Sequence, residues 1–338
     1  MSPAHPLPSH RLSIVVPLYN EQDNVAPLVK RVHEALAGYQ NPWELVLVDD
    51  GSSDETPERC AQAARDYGLH VRLVELTRNF KQTAAMQAGV DAARGDVIVT
   101  MDGDLQNDPI DIPRLVGRLL NEDLDLVAGW RQNRQDALIL RKVPSKIANR
   151  LIARLTGVKL KDYGCSLKAF RGSVIKSVRL YGEMHRFIPA WLATVTTPRR
   201  IAQEPVSHHA RTAGQSKYGI SRTFRVILDL IFVYFFMRFR TRPGHFFGGI
   251  GMGLGALGVL ILGYLTALKI ITGASIGTRP MFFGGFFFVI AGIQMVTTGV
   301  LAELLTRVYF ESGQSQAYVA RDVPALGDGE GWQDKPQR

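Results

Sequence analysis

The stretch Leu12-Ser-Ile-Val-Val-Pro-Leu18 is an apolar, β-branched run that ends in polar residues. A second such run, Glu44-Leu-Val-Leu-Val48, ends in the same way. Short apolar runs bounded by polar clusters predict buried strands of a parallel sheet. Between them, Asp23–Tyr39 has apolar residues at helical spacing, which predicts a helix that connects the two strands.

The alternation of strands and helices continues along the chain. Val71–Leu76 and Asp96–Met101 are predicted strands, and Thr83–Arg94 between them is a predicted helix. Strands that alternate with helices are typical of an α/β domain with a mostly parallel sheet flanked by helices. Such sheets bind ligands beyond the carboxyl ends of their strands, which is where the polar clusters of this sequence fall.

Two uncharged apolar runs, Phe246–Leu268 and Met281–Ala302, lie near the C-terminus. Each is long enough to cross about 30 Å of hydrocarbon as a helix, which takes about 20 residues. A pair of buried helices in a large globular core is the alternative, although charge-free runs of this length are rare in water-soluble folds. We therefore expect a transmembrane hairpin. Its many glycines suit close helix packing, and whether they also join subunits of a homo-oligomer is left open by the sequence.

The net charge of +9 is unevenly distributed. Residues 1–130 carry 11 Lys or Arg and 20 Asp or Glu, whereas residues 131–225 carry 20 and 4. A basic block directly before membrane segments favours contact with anionic headgroups or a phosphate-bearing substrate. Nucleic acid is the competing interpretation, but no nucleic-acid motif or interleaved aromatic pattern supports it.

The distribution of arginines predicts the orientation in the membrane. Arg238, Arg240 and Arg242 precede the first span and Arg307 follows the second, so both termini are expected in the cytoplasm. No apolar stretch precedes the first strand, which predicts that there is no signal peptide. The chain has only two cysteines, as suits a reducing compartment. We expect a multi-pass protein of the inner (cytoplasmic) membrane with a cytoplasmic catalytic domain.

These observations predict five parts. They are a polar N-terminal arm (1–11), a cytoplasmic catalytic domain (12–218), juxtamembrane interfacial helices (219–243), two transmembrane helices (244–306) and a cytoplasmic tail with a disordered end (307–338). The interfacial assignment depends on Phe224–Met237, which is apolar but too short to span and which contains Asp229.

Two acidic segments follow predicted strands. Asp102-Gly-Asp104 is a pair of carboxylates on a glycine-containing turn, and carboxylates of this kind bind Mg²⁺ together with phosphate oxygens and water. Most such triplets are solvated turns, but this one follows a buried strand. Asp49-Asp-Gly-Ser-Ser-Asp54 is compatible with a helix cap and with binding of a nucleotide base or ribose.

Three segments, taken in order, resemble the inverting family 2 glycosyltransferases of GT-A (Rossmann-like) fold. They are Val15-Val-Pro-Leu-Tyr-Asn-Glu21, the Asp-Asp-Gly-Ser segment and Asp102-Gly-Asp104-Leu-Gln106. Within that family, the chain resembles polyprenyl-phosphate glycosyltransferases from about Leu12 to Asp322. The resemblance implies transfer of a sugar from a nucleotide-sugar donor, expected to be a UDP-sugar, to an undecaprenyl-type phosphate, with Mg²⁺ or Mn²⁺ as cofactor.

The resemblance also implies residue roles. The nucleotide-binding positions are Pro17, Tyr19, Glu21, Asp50 and Asp102. The metal and diphosphate positions are Asp102, Asp104 and Gln106. The acceptor-phosphate positions are Arg131, Arg141 and Ser145. The catalytic positions are Asp162, Asp104, Arg211 and Lys217.

Some of these roles have alternatives. Asp162 corresponds to a carboxylate that is a base or, alternatively, a structural group that binds backbone amides. Trp130 replaces the serine that usually precedes the arginine. His185 belongs to a segment that resembles the acceptor-side helix. His208 and His209 either assist at the diphosphate or are surface histidines.

Two rival functions differ in what they require. A processive polysaccharide synthase needs more membrane helices and a Gln-x-x-Arg-Trp segment, and this sequence has no such segment. A catalytically inactive scaffold subunit would not need the intact Asp102, Asp104 and Gln106. The sequence therefore favours a single-transfer enzyme that acts at the cytoplasmic face of the membrane.

Overall fold

A computed structural model of the chain describes residues 7–131, 153–154, 156–180, 182, 184–209, 239 and 243–311. These residues belong to two compact units: the described residues up to His209 lie in the first unit, and Phe239 and Pro243–Glu311 lie in the second. Of the predicted juxtamembrane segment, 219–243, only Phe239 and Pro243 are described.

The first unit alternates strands and helices, as predicted. Its strands are β1 (Leu12–Leu18), β2 (Trp43–Asp49), β3 (Val71–Glu75), β4 (Val97–Thr100), β5 (Leu126–Arg131), β6 (Lys168–Arg171) and β7 (Ile201–Val206). Its helices are α1 (Gln22–Leu36), α2 (Thr56–Tyr67), α3 (Gln82–Ala92), α4 (Ile112–Asn121), α5 (Gly172–Lys176) and α6 (Ile188–Leu192). Short 3₁₀ turns occur at Pro109–Asp111, Met184–Phe187 and Pro198–Arg200.

The described strands form one mixed sheet in the order β3-β2-β1-β4-β6-β5-β7. All neighbouring pairs are parallel except β4–β6 and β5–β6, so β6 is the one described strand that runs against the others. The predicted α/β class with a mostly parallel sheet is confirmed. Every residue of β2 is buried, which explains why its sequence is a continuous apolar run rather than an alternating one.

The topology opens a crevice at the carboxyl end of β1. Strand β1 pairs with β2 on one side and with β4 on the other, so the connections to these two neighbours lie on opposite sides of β1. Backbone hydrogen bonds extend both pairings beyond the strands, from Asp50 to Leu18 (2.9 Å) and from Met101 to Val15 (3.1 Å). The loops that follow these strands therefore line a topological switch point, where open α/β sheets bind ligands.

Two histidines share a hydrogen bond inside the first unit. The Nε2 atoms of His33 on α1 and His70 before β3 lie 2.8 Å apart, and both rings pack edge-on against Trp43. Burial lowers the pKa of both imidazoles, and the neighbouring His33 helps to lower the pKa of His70 to about 4. Both rings are therefore neutral near pH 7.

Acidification should destabilise the first unit through His70. Below pH 6.5 the unfolded chain binds a proton that the folded protein binds only near pH 4, so stability falls as the pH falls through this range. The contribution of His70 is about 1.4 kcal/mol per pH unit. Denaturant unfolding of the detergent-solubilised protein between pH 7.5 and pH 5 would measure it. His70→Asn should reduce the pH slope by about one proton, and an unchanged slope would contradict the prediction.

The second unit consists of the helices α7 (Pro243–Thr272) and α8 (Pro280–Glu311). Both are long and apolar enough to cross a membrane, with mean hydropathies of 2.1 and 1.8 in their apolar parts. Only 11% and 17% of those parts are buried, and side chains such as Leu260 and Phe287 point outward. Outward apolar side chains suit lipid and argue against the alternative of two helices buried in a globular core. The predicted spans lie inside these helices.

Glycines at seven-residue intervals form the contact between α7 and α8. A Cβ placed on Gly251 would lie 2.7 Å from the carbonyl oxygen of Gly292, and one on Gly258 would lie equally close to that of Gly285. Seven residues before Gly251 on α7, Gly244 faces Gly299. This glycine seam (Gly244, Gly251, Gly258 against Gly299, Gly292, Gly285) brings the two backbones together, as small residues do in membrane helix pairs.

Gly251→Leu should separate the hairpin, because the added side chain has no room beside Gly292. We expect disulfide crosslinking between Gly244→Cys and Gly299→Cys in membranes to fall several-fold in this variant. Gly253→Leu is the matched control, since a Cβ at Gly253 meets nothing within 4 Å. Equal crosslinking in both variants would contradict the seam.

Candidate active site

An acidic pair follows β4 at the switch point. Gly103 separates Asp102 from Asp104, and a Cβ on Gly103 would lie 2.2 Å from the Leu18 side chain, so a larger residue there would have to displace that side chain at the end of β1. Asp104 is 9% exposed. The next residue, Leu105, is buried with a φ of 60°, a conformation that L-residues with bulky side chains rarely adopt and that clusters at functional sites.

Asp102 lies among groups of both charges. Burial and the negative charge of Asp104 raise the pKa of Asp102, while a hydrogen bond from Ser166 and the positive charges of Lys168 and Arg131 oppose that change. Gln82, the first residue of α3, donates from Nε2 to Asp102 Oδ1 at 2.8 Å. The acidic pair and Arg131 therefore belong to one electrostatic cluster.

The acidic pair could hold a divalent cation only with ligands from elsewhere. Within the described ranges, no group of three or more His, Cys, Asp or Glu side chains is placed to hold a metal ion. Mg²⁺ in enzyme sites is commonly bound by one or two carboxylates and completed by substrate phosphates and water. Asp102 and Asp104 fit that pattern, and Gln106 follows on the same loop with its N–H donated to Asp104 Oδ1 (3.2 Å).

Arg131 and Asp162 form a bidentate ion pair. Arg131 Nε and Nη2 donate to the two oxygens of Asp162 at 2.7 and 3.0 Å, and both side chains are about 15% exposed. Burial alone would raise the pKa of Asp162, but the hydrogen bonds and charge of Arg131 outweigh it and lower the pKa. Asp162 is thus ionised, and its Oδ1 also accepts the N–H of Gly164 at 3.1 Å. These contacts favour its structural alternative, with a guanidinium as well as a backbone amide as partners.

A buried lysine completes the cluster. Lys168 on β6 is 2% exposed, and its Nζ donates to the carbonyl oxygen of Cys165. Burial lowers the pKa of Lys168, and the charges of Asp162 and Asp102 oppose the change. Sequence reasoning gave this residue no role. The signal was a single lysine in the otherwise apolar run Leu167–Phe170.

The predicted nucleotide positions lie at the ends of β1 and β2. Tyr19 is 43% exposed, whereas Asp50 is 3% exposed. Glu21 donates its N–H to Thr56 Oγ1 (2.9 Å), which joins the loops after the two strands. Pro17 is half-buried near the end of β1. Both oxygens of Asp50 accept backbone N–H groups, from Phe80 (2.8 Å) and Lys81 (2.9 Å), so its nucleotide contact stays a prediction.

Two segments with predicted roles, at His185 and at His208–His209, contact loops that lie next to the acidic pair. His185 Nδ1 lies 2.6 Å from Thr83 Oγ1, one residue beyond Gln82. His209 donates its N–H to the carbonyl of Gln106 (2.8 Å), and its Nε2 lies 2.9 Å from Asp108 Oδ2. The backbone of His208 forms an isolated antiparallel β-bridge with Asn107. The two histidines therefore contact protein groups next to the acidic pair.

Four predicted site residues lie outside the described residues: Arg141, Ser145, Arg211 and Lys217. Gln82, like Lys168, was given no role by sequence reasoning. Its only signal was its position directly before a predicted helix, which does not reveal its contact with Asp102.

The strand order and the paired carboxylates after β4 match the GT-A fold of glycosyltransferases. Glucosyl-3-phosphoglycerate synthase from Mycobacterium tuberculosis, solved in complex with Mn²⁺, UDP-glucose and phosphoglyceric acid, superposes with a TM-score of 0.51 and 20% identity, covering 68% of this chain and 79% of that one. This likeness supports the fold alone. The family model described as Glycosyl transferase family 2 matches residues 13–179.

Two relatives show to which group of family 2 glycosyltransferases the chain belongs. The chain is 58% identical over 318 residues, 94% of each protein, to dodecaprenyl-phosphate galacturonate synthase from Rhizobium johnstonii. It is 38% identical to undecaprenyl-phosphate 4-deoxy-4-formamido-L-arabinose transferase from Klebsiella pneumoniae, covering 89% of this chain and 90% of the relative. This chain therefore belongs to the polyprenyl-phosphate glycosyltransferases of family 2.

Asp162→Ala should lower the free energy of unfolding by about 2–4 kcal/mol, because it leaves the largely buried Arg131 without its carboxylate. Glu34→Ala is the control: it removes an exposed ion pair with Lys30 and should change stability by less than about 0.5 kcal/mol. Denaturant unfolding of the detergent-solubilised proteins would measure both. Equal effects of the two substitutions would contradict a strong Arg131–Asp162 pair.

Proposed function

We propose that this protein transfers a sugar from a UDP-sugar to polyprenyl phosphate, with inversion at the anomeric carbon and with Mg²⁺ or Mn²⁺ as cofactor. An oxygen of the acceptor phosphate forms the new bond to the anomeric carbon as the bond to the nucleoside diphosphate breaks. The product is a polyprenyl-monophosphosugar. The observation that carries the proposal is that β4 and β5 flank β6 and run in the same direction, so that the acidic pair after β4 and Arg131 at the end of β5 lie at the same edge of the sheet.

The donor is assigned to the acidic side of the crevice. Pro17, Tyr19, Glu21 and Asp50 are proposed to form the nucleotide side. A divalent cation bound by Asp102, Asp104 and Gln106 would neutralise the negative charge that develops on the leaving diphosphate. Arg211 and Lys217, which follow His209 in the sequence, are proposed to stabilise the same charge.

The acceptor phosphate is assigned to the basic side. Arg131, Arg141 and Ser145 are proposed to hold it, since guanidinium groups bind phosphate oxygens strongly. A phosphate monoester is already anionic near pH 7, so the reaction requires no strong base. We therefore assign Asp162 the task of orienting Arg131, with which it shares two hydrogen bonds, rather than that of removing a proton.

We propose galacturonate as the transferred sugar. The support is the 58% identity, over 94% of each chain, to a protein named for dodecaprenyl-phosphate galacturonate.

The proposed location is the cytoplasmic face of the inner membrane, with both termini in the cytoplasm. We propose that the chain consists of an arm at 1–11, a catalytic domain at 12–218, interfacial helices at 219–243, membrane helices at 244–306 and a tail at 307–338.

A donor panel tests the reaction and the sugar together. The purified enzyme would receive UDP-galacturonate, UDP-glucuronate, UDP-galactose or UDP-glucose, with undecaprenyl or dodecaprenyl phosphate and Mg²⁺ or Mn²⁺. We expect one sugar per lipid, the opposite anomeric configuration to the donor, and preference for UDP-galacturonate. Preference for another donor would overturn the sugar assignment alone, and products with several sugars per lipid would favour a processive synthase.

Asp104→Ala should reduce transfer at least about 100-fold, because it removes a carboxylate from the proposed cation site. Membrane insertion should be unchanged. The matched control is Asp66→Ala on the exposed surface of α2, which should retain parental transfer. Unchanged transfer by the Asp104 variant would refute the assignment of the cation site.

A further inference from the structure

The loop between β3 and α3 contains a residue in a rarely adopted conformation. Lys81, the last residue before α3, has φ 80° and ψ 161°. This region is almost restricted to glycine, since a Cβ makes it sterically unfavourable. An L-residue stays there only where its surroundings hold it, and such residues cluster at functional sites.

The end of β2 holds this loop. Asp50 is 3% exposed, and its two carboxylate oxygens accept the N–H groups of Phe80 (2.8 Å) and Lys81 (2.9 Å). The neighbouring Gly51 has φ 65°, and a Cβ there would lie 2.3 Å from the carbonyl carbon of Arg78. Backbone packing and two charge-assisted hydrogen bonds thus tie the loop to β2.

The loop that Asp50 holds places the Gln82 side chain in contact with Asp102. Gln82 follows Lys81 directly, and its Nε2 donates to Asp102 Oδ1 at 2.8 Å. Thr83, the next residue, contacts His185. A turn of the Lys81 backbone would move Gln82 away from Asp102, because the two residues are adjacent in the chain.

We propose that Asp50 is a positioning residue that acts on Asp102 through Lys81 and Gln82. Asp50 holds Lys81 in its unfavourable conformation, and Gln82 then fixes the orientation in which Asp102 binds a divalent cation and the donor diphosphate. Hydrogen-bond partners of metal-binding side chains commonly contribute 10- to 100-fold to metal affinity. The inference rests on the cation site of the proposed function, and it gives Asp50 a positioning role in addition to its proposed place on the nucleotide side.

The first test measures Mn²⁺ binding rather than activity. Free Mn²⁺ would be followed by electron paramagnetic resonance with the full-length protein in detergent and saturating UDP. Asp50→Asn and Gln82→Ala should each weaken Mn²⁺ binding about tenfold. Combining them should cause little further loss, because both interrupt one chain of contacts. Gln62→Ala, on the exposed face of α2, is the control and should bind like the parent.

The second test separates positioning from a general loss of structure. Lys81→Gly makes the loop conformation accessible without a steric penalty, so it should restore most of the Mn²⁺ affinity lost in Asp50→Asn. Lys81→Ala removes the same charge but keeps the Cβ, so it should not restore affinity. An unfolded Asp50 variant would not be rescued by a glycine in the loop.

The outcomes distinguish the inference from the proposed function. If the parent binds Mn²⁺ and Asp50→Asn binds it equally well, the inference is wrong and the proposed function stands. If Asp50→Asn instead loses affinity for UDP without metal and Lys81→Gly does not rescue it, Asp50 acts through contact with the nucleotide and not through Lys81, and the inference is also wrong. A parent that binds neither Mn²⁺ nor Mg²⁺ overturns the proposed metal dependence together with the inference.

Discussion

The packing of Gly103 against Leu18 is the constraint on which the candidate site depends. The turn packs closely on the Leu18 side chain and carries two carboxylates, Asp102 and the buried Asp104, just beyond the end of a buried strand. Like charges on neighbouring residues are unfavourable unless groups of opposite charge compensate them. Lys168 and Arg131 supply that compensation within the protein. The acidic pair and the basic side of the crevice therefore depend on each other before any substrate binds.

The pairing of β4 with β6 brings the two charge regions of the chain together. β4 belongs to the acidic stretch, residues 1–130, and β6 belongs to the basic stretch, residues 131–225. Their antiparallel pairing sets Thr100, just before the acidic pair, opposite Lys168. The acidic and basic stretches, which are separate in the sequence, thus come together in the fold at a site where opposite charges meet. The same arrangement suits a reaction between two phosphate-bearing substrates, each of which needs positive charge.

The sequence predicts the first half of the fold well because β1, β2 and β4 are buried on both faces. Such strands are continuous apolar runs, which can be recognised without knowledge of their neighbours. β6 could not be predicted in this way, since it has four residues, begins with the buried Lys168 and runs antiparallel between β4 and β5. Its identity as a strand depends on partners that are distant in sequence. The acidic pair was predicted from its motif, but Gln82 reaches Asp102 only through the fold.

The glycine seam has a consequence for how the protein adapts to its lipid surroundings. Since backbone meets backbone along α7 and α8, the cohesion of the two helices owes little to the side chains that face outward. Outward residues such as Leu260 and Phe287 are then free to change without disturbing the pair. Bilayer thickness differs between membranes, and a helix pair built on glycine can be matched to it by substitutions on the outer surface alone.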